Sequence, residues 1–327
     1  MQSAAHIPSS QNLTTHSDNS LLTDYDNLFR IFYNYAPSLD SINIATTYLQ
    51  CKSLLSLADM YDALEVVGPR IDHHLLQFQS RLWKQIAKYP PSYLKLGYLA
   101  RSKVIFSEAL IHVVGQWPAG SRQLSHAVPE AVLDLIEDKV DELTEKKAKI
   151  EAQLFKITLL TSRGERVSPT NSYTEWLALC LWRQYLSDQT SPPPSKPPTT
   201  SSSFSSRHRA PAPSPQAPPP PQTQSPPSSF YRALFTASQS YLAHDECKKF
   251  IRLAPLPDKE TSTREALKRF ERKLDEIKAQ AREIVRPLMR SLLELDVSGG
   301  GGLGYLTCTR VEEGEWPWDW GGCCLGR

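Results

Sequence analysis

The sequence predicts a mainly α protein, a helical bundle interrupted by a disordered proline-rich insertion. Three observations predict it. Apolar residues recur at spacings of three and four from Leu21 onward to Trp117, the period of one helix face. Two longer stretches, 133–157 and 267–288, keep a narrower apolar seam over several heptads. The 26 prolines are well above average usage and crowd into residues 191–228, which carry few charges and little to bury.

The first 20 residues are polar, read as a disordered N-terminus, and contain no apolar run long enough for a secretory signal. A first helix is predicted over 21–35, with Leu21, Leu22, Tyr25, Leu28, Phe29, Phe32 and Tyr33 as its core face. Ala36-Pro37 should stop it, because the residue before a proline is pushed out of the helical region. A second segment runs from about residue 41 through Leu54, Leu55, Leu57 and Ala58 to Val67, with a break expected near residues 50–53. Gly68-Pro69 is expected to close it.

A third helix is predicted over 71–88, with Leu75, Leu76, Phe78, Leu82, Trp83 and Ile86 inward and Pro90-Pro91 as its stop. A fourth covers about 102–117, burying Ile105, Phe106, Ala109, Leu110 and Val113. Each amphipathic helix can cover its stripe only against the others, so the four predict a compact bundle.

The seam Leu133, Ile136, Val140, Leu143, Lys147, Ile150, Leu154 and Ile157 suits packing within the chain or a coiled-coil pairing, the former fitting better with Lys147 at a core-type position. A matching seam runs through Leu267, Phe270, Leu274, Ile277, Ala281, Ile284 and Leu288, with Pro287 expected to kink or end that helix. The two long helices are expected to pack on each other. The proline-rich stretch then becomes a loop insertion, which costs only about 0.6 kcal/mol per doubling of loop length. Trp176, Leu177, Trp182 and Tyr185 before it would be covered by Phe230, Tyr231, Leu234 and Tyr241 after it.

A net charge of +2, from 37 basic and 35 acidic residues, sets up no large field for nucleic acid. No apolar run reaches the ~20 residues of a membrane span. Six cysteines without framework spacing are expected as reduced thiols, which with the absent signal predicts an intracellular protein, nuclear or cytoplasmic.

Motifs that carry chemistry are thin. His73 and His74 are adjacent and point about 100° apart on a helix. Glu108 and His112 share a face at i and i+4, but HExxH needs a second histidine and a differently placed glutamate. Cys308, Cys323 and Cys324 lack zinc-ligand spacing, no GxSxG occurs, and the glycines at 299–302 lack the lysine of a phosphate loop and read as a hinge. The PxxP spacings at Pro194–Pro197 and Pro215–Pro218 have no flanking basic residue, so the segment reads as a spacer. Basic residues along 264–286, including Lys268, Arg269, Arg272, Lys273, Lys278 and Arg282, alternate with acids and read as a solvated face with weak ion pairs. No catalytic residue, metal ligand or cofactor site is assigned. Trp316, Trp318 and Trp320 in a glycine-rich tail are the candidate interaction residues, either docking back on the helices or serving as a linear partner motif.

The run from Tyr25 to Tyr35 (YDNLFRIFYNY), followed by LLSLADMYDAL from Leu54, resembles the second half of a BTB/POZ domain. There an aromatic-rich helix leads to a helix with a leucine, Ala-Asp, Tyr pattern. LWKQIA from Leu82, HVVGQWP from His112, and the tail around Leu306-Thr307-Cys308 and Trp316-Pro317-Trp318 resemble the helical extension of BTB-like proteins from filamentous fungi. The first half of such a domain has three strands and a helix, and residues 1–20 offer no counterpart. That implies a shortened chain or a domain without its sheet, and it removes the region through which these domains usually homodimerise. The resemblance implies a non-enzymatic adaptor or scaffold for other proteins. A ubiquitin-ligase scaffold role follows by analogy only, because no cullin-binding motif is evident.

On this reading residues 1–20 are a disordered terminus and 21–125 the BTB-like C-terminal helices with those that follow. Residues 126–190 form the first part of the extension, 191–228 the insertion, 229–297 the second part, and 298–327 a Gly/Trp-rich tail. The alternative function is a nuclear regulator contacting nucleic acid through the helix 264–286. Homo-oligomerisation is left open.

Overall fold

In a computed structural model the described residues are 11–191, 228–236, 240–254, 263–296 and 303–319. Among them the chain forms twelve helices and no strand, with one isolated antiparallel bridge between Leu160 and Arg166. Residues 192–227 of the expected insertion and the glycine hinge at 299–302 lie outside the described residues. The helices fall into two units, residues 1–148 with 287–327, and residues 149–286.

In the first unit, α1 (Gln11–Phe32) starts at residue 11, so the terminus expected to be disordered through residue 20 is helical in its second half. It closes before Ala36-Pro37, at Asn34, whose φ of 64° suits a short polar side chain, and the Tyr35 amide caps the Arg30 carbonyl at 2.7 Å. Of the predicted face only Leu28 is fully buried. Asp24, Asn27, Leu28 and Ile31 are buried, whereas Leu22, Phe29, Phe32 and Tyr33 face outward.

α2 (Ile44–Met60) is capped by Asn43, whose side chain accepts from the Ala45 amide, and it buries Cys51, Leu54, Leu55, Leu57 and Ala58. Past its end the chain turns at Asp62, φ 52°, and α3 (Leu64–Leu76) follows, so the break lies well past the expected residues 50–53. Gly68-Pro69 sits inside α3 instead of closing a helix. A Cβ on Gly68 would come within 2.5 Å of the Ala100 carbonyl oxygen, so this glycine lets two backbones touch. Gln79, φ 45°, divides the single helix expected over 71–88, and α4 (Ser80–Lys88) buries Leu82 and Ile86. Pro90 and Pro91 open α5 (Pro90–Leu99) rather than merely stopping α4, since a first-turn proline loses no helical hydrogen bond.

α6 (Lys103–Gly115) begins at Ser102, whose hydroxyl accepts from the Ile105 amide at 3.1 Å and donates to Asp72 at 2.6 Å. It packs on α5 and buries the five residues predicted for it. The short α7 (Ser121–Leu124) leads to α8 (Glu130–Phe155), which runs through the division at residue 148. In α8 the seam holds at Ile136, Leu143, Ile150 and Leu154. Leu133 and Val140 are only half-buried, and Val132, Leu135 and Lys139 are buried in addition.

The second unit contains the end of α8, α9 (Tyr173–Thr190), α10 (Ser228–Thr236), α11 (His244–Leu253) and α12 (Thr263–Met289) up to residue 286. Trp182 donates its indole N–H to the Leu154 carbonyl at 3.3 Å, and the Tyr231 hydroxyl donates to Glu151. Tyr185 stacks on Tyr241 at 5.2 Å and meets Phe230 at 6.2 Å, so the segments on either side of the proline-rich stretch cover one another. Contacts to α12 come from α11, through Phe250 against Phe270, and from α9, through Glu175 and Arg269. Pro287 lies two residues before the end of α12.

Candidate interaction surface

α1 has two apolar arcs. At about 100° per residue, Leu28 and Ile31 share one flank with Asp24 and Asn27, and this arc packs on the rest of the unit. The two polar residues are buried because both are bonded. Ser53 donates its hydroxyl to Asp24, and the Ser38 amide donates to Asn27 at 2.6 Å. Burial raises the Asp24 carboxyl above its ordinary range, and the Ser53 bond opposes that shift.

The second arc, about 120° wide, carries Leu21, Leu22, Tyr25, Phe29, Phe32 and Tyr33. Phe29, Phe32 and Tyr33 are 54%, 47% and 75% exposed. Phe29 and Phe32 meet edge to face at 6.4 Å, and Tyr25 reaches Tyr61 of α2, the two hydroxyls 3.0 Å apart. Met60 and Tyr61, also exposed, extend the surface to the end of α2. A contiguous outward apolar patch beside an inner arc that is already packed is a candidate interaction surface. The heptad-like spacing in residues 21–35 signalled the helix, but not which arc is outward.

Of the two readings given for the tail tryptophans, docking back on the helices is the one seen for Trp316 and Trp318. Trp316 is buried, edge-on to Phe106 at 6.3 Å, with Lys103 Nζ 5.3 Å from its ring centre. Trp318 is half-buried, stacked on Trp316 at 5.3 Å and set against Phe106 at 5.4 Å and Tyr98 at 6.4 Å. Both therefore dock on the helical body of their own unit. Trp320 lies outside the described residues.

The rest of the C-terminal segment is tied to α6 by buried polar contacts. Glu108 accepts from the amides of Glu294 and Leu295 at 2.8 and 3.1 Å. His112 Nδ1 meets the Tyr305 hydroxyl at 2.7 Å, and its Nε2 lies 3.8 Å from Glu108. Burial raises the Glu108 carboxyl against the pull of its two amides and pushes His112 down to about 4, so the imidazole is neutral at pH 7. Both side chains are enclosed, so this pair of i and i+4 residues fastens a segment.

A further anchor was missed by the sequence reading. Lys139, nearly fully buried, donates to Glu315 at 2.8 Å and Glu142 at 2.9 Å. Burial would lower its pKa, but the two carboxylates outweigh that and hold it above the ordinary lysine range. It borders a cleft of about 770 Å³ where Lys146, Arg290 and Arg310 alternate with Glu142, Glu312 and Glu315, so neither sign dominates.

His74 meets the Asp40 carbonyl, and among the described residues no group of three His, Cys, Asp or Glu is placed to hold a metal ion. Burial pushes the thiols of Cys51 and Cys247 up to about 12 and about 11, which leaves them protonated and unreactive at neutral pH. Cys323 and Cys324 lie outside the described residues.

On α12 the basic residues are largely committed within their own unit. Lys278 was expected on the solvated face, yet it is buried, donating to the Tyr241 and Leu242 carbonyls at 3.0 and 3.2 Å. Its stem packs in the core while the ammonium caps a loop. Arg269 reaches Glu175, Lys273 reaches Glu276, and Arg286 reaches Glu283. Among the described residues no helix is long and apolar enough to cross a membrane. No family model matches the chain, and neither a curated protein nor a solved structure matches it.

Proposed function

We propose that the chain is a non-enzymatic protein–protein interaction module, an adaptor or scaffold of BTB-like type. The observation that carries this reading is the outward aromatic arc of α1 in a unit whose inner arc is already packed. Aromatic side chains supply large contact area at low entropic cost and dominate interface energetics. The resemblance to BTB/POZ proteins points the same way, since its two signature segments fall on α1 and α2, the helices that form this surface. Contact with nucleic acid through residues 264–286 draws less support, because Lys278 is buried and three further basic residues are paired with carboxylates.

The test is affinity capture with the intact chain and with Phe29→Asp/Phe32→Asp. The reading expects protein partners that the double variant loses while its circular dichroism is unchanged. Equal capture by both chains overturns the assignment to α1. Binding to a nucleic-acid duplex that weakens steeply with salt would replace it with the nucleic-acid reading.

A further inference from the structure

The outer arc of α1 fits one occupant in particular, and this step rests on the interaction reading above. We infer that α1 pairs antiparallel with α1 of a second copy of the chain, forming a two-fold homodimer. Two features of the surface support this.

The first is area. Leu21, Leu22, Phe29, Phe32 and Tyr33 of α1, with Met60 and Tyr61 at the end of α2, are each about half exposed or more. Side chains of this size leave on the order of 100 Å² uncovered apiece, together roughly 700 Å² per copy. A standard specific interface needs about 800 Å² per partner, so covering this arc once gives a contact of ordinary dimer size.

The second is charge. Asp26 and Arg30 lie on the same flank of the arc, away from the core-facing flank, and both are exposed, with a 3.5 Å pair between them along the helix. In an antiparallel helix pair like flanks meet. A two-fold axis near the middle of the arc sets Leu22 opposite the partner's Tyr33 and brings Asp26 beside the partner's Arg30, and Arg30 beside the partner's Asp26. A parallel pairing brings this flank against the opposite one, where Asp24 and Leu28 are buried. The flank is thus self-complementary in the isologous sense a two-fold interface requires.

The experiment is sedimentation equilibrium of the purified full chain with charge and apolar variants. The wild type is expected to dimerise, and Phe29→Asp/Phe32→Asp to weaken dimerisation at least tenfold with unchanged circular dichroism. Asp26→Arg and Arg30→Asp should each weaken it several-fold, because each places like charges across the axis. Mixed one to one, these two single variants should associate with each other more tightly than either does with itself.

A wild type that stays monomeric at tens of micromolar overturns the inference. If that monomer still captures a different protein through Phe29 and Phe32, the interaction reading stands while this one falls. If it captures none, both fall. A dimer whose charge variants show no preference for each other also overturns it, since the seam then lies elsewhere.

Discussion

Lys139 of α8 and Glu315 of the C-terminal segment are 176 positions apart in the chain and 2.8 Å apart in space. The lysine is almost wholly buried and the glutamate one-third exposed, so the bond fixes a late segment onto an early helix. Removing the acid strands most of a buried charge, since only Glu142 remains. Glu315→Gln is expected to cost about 1–3 kcal/mol in urea unfolding. Lys139→Met keeps the stem's volume without the charge and should cost less, and Lys139→Met/Glu315→Gln should cost no more than Lys139→Met alone. Additive losses would show the two residues are not coupled.

Gly115 admits the C-terminal segment. A Cβ there would fall 2.5 Å from the Tyr305 ring and 2.7 Å from the Leu306 carbonyl oxygen, and the carbonyl cannot swing aside as a side chain end can. Gly115→Ala should destabilise by about 1–3 kcal/mol through overpacking. Limited proteolysis should then cut between 290 and 319 sooner than in the wild type; equal cutting would mean the segment is not held there.

His112 gives stability a pH dependence with a definite sign. Its folded pKa, about 4, lies below the ordinary 6.5, so the unfolded chain binds the extra proton in that window. The histidine's contribution is complete above about pH 6.5 and declines as pH falls toward 4, by up to about 3 kcal/mol. Glu108 works oppositely, because its raised pKa favours the fold at low pH and that contribution fades as pH rises. Urea midpoints of wild type and His112→Asn, measured from pH 7 to 4, isolate the histidine. The variant should lose less stability on acidification, and parallel curves would contradict the burial.

Trp316 is the tail's anchor and Trp318 its lid. Trp316→Ala should cost about 3–5 kcal/mol, as for other buried aromatics, and Trp318→Ala clearly less because it remains partly accessible. The reverse order in thermal melts would mean that Trp318 carries the docking.

Helix periodicity made the architecture legible, down to the five buried residues of α6 and the mutual cover of Tyr185, Phe230 and Tyr241. The breaks were less legible because Asp62, Gln79 and Arg101 turn the chain at positive φ without glycine or proline, leaving the apolar spacing intact. Gly68-Pro69 misled for the converse reason, while Pro90-Pro91 closed α4 as expected and also opened the next helix. Gly68 serves a backbone contact with Ala100. Lys278 read as solvent-facing, and Lys139 drew no reading at all, because a lysine's partners, Glu315 or the Tyr241 carbonyl, are distant in sequence. The α1 surface shows the limit most clearly. Its apolar arc is wide enough to cover two sides, and spacing alone does not say which side the unit uses.

α1 turns Leu28 and Ile31 inward and Phe29 and Phe32 outward, and the stability of single variants separates the two faces. Urea unfolding of Leu28→Ala and Phe29→Ala should be compared at a protein concentration that keeps the chain monomeric. Leu28→Ala is expected to lose about 2–5 kcal/mol and Phe29→Ala under about 1 kcal/mol. A larger loss from Phe29→Ala than from Leu28→Ala would return the aromatic arc to the core and leave α1 without an outward apolar face.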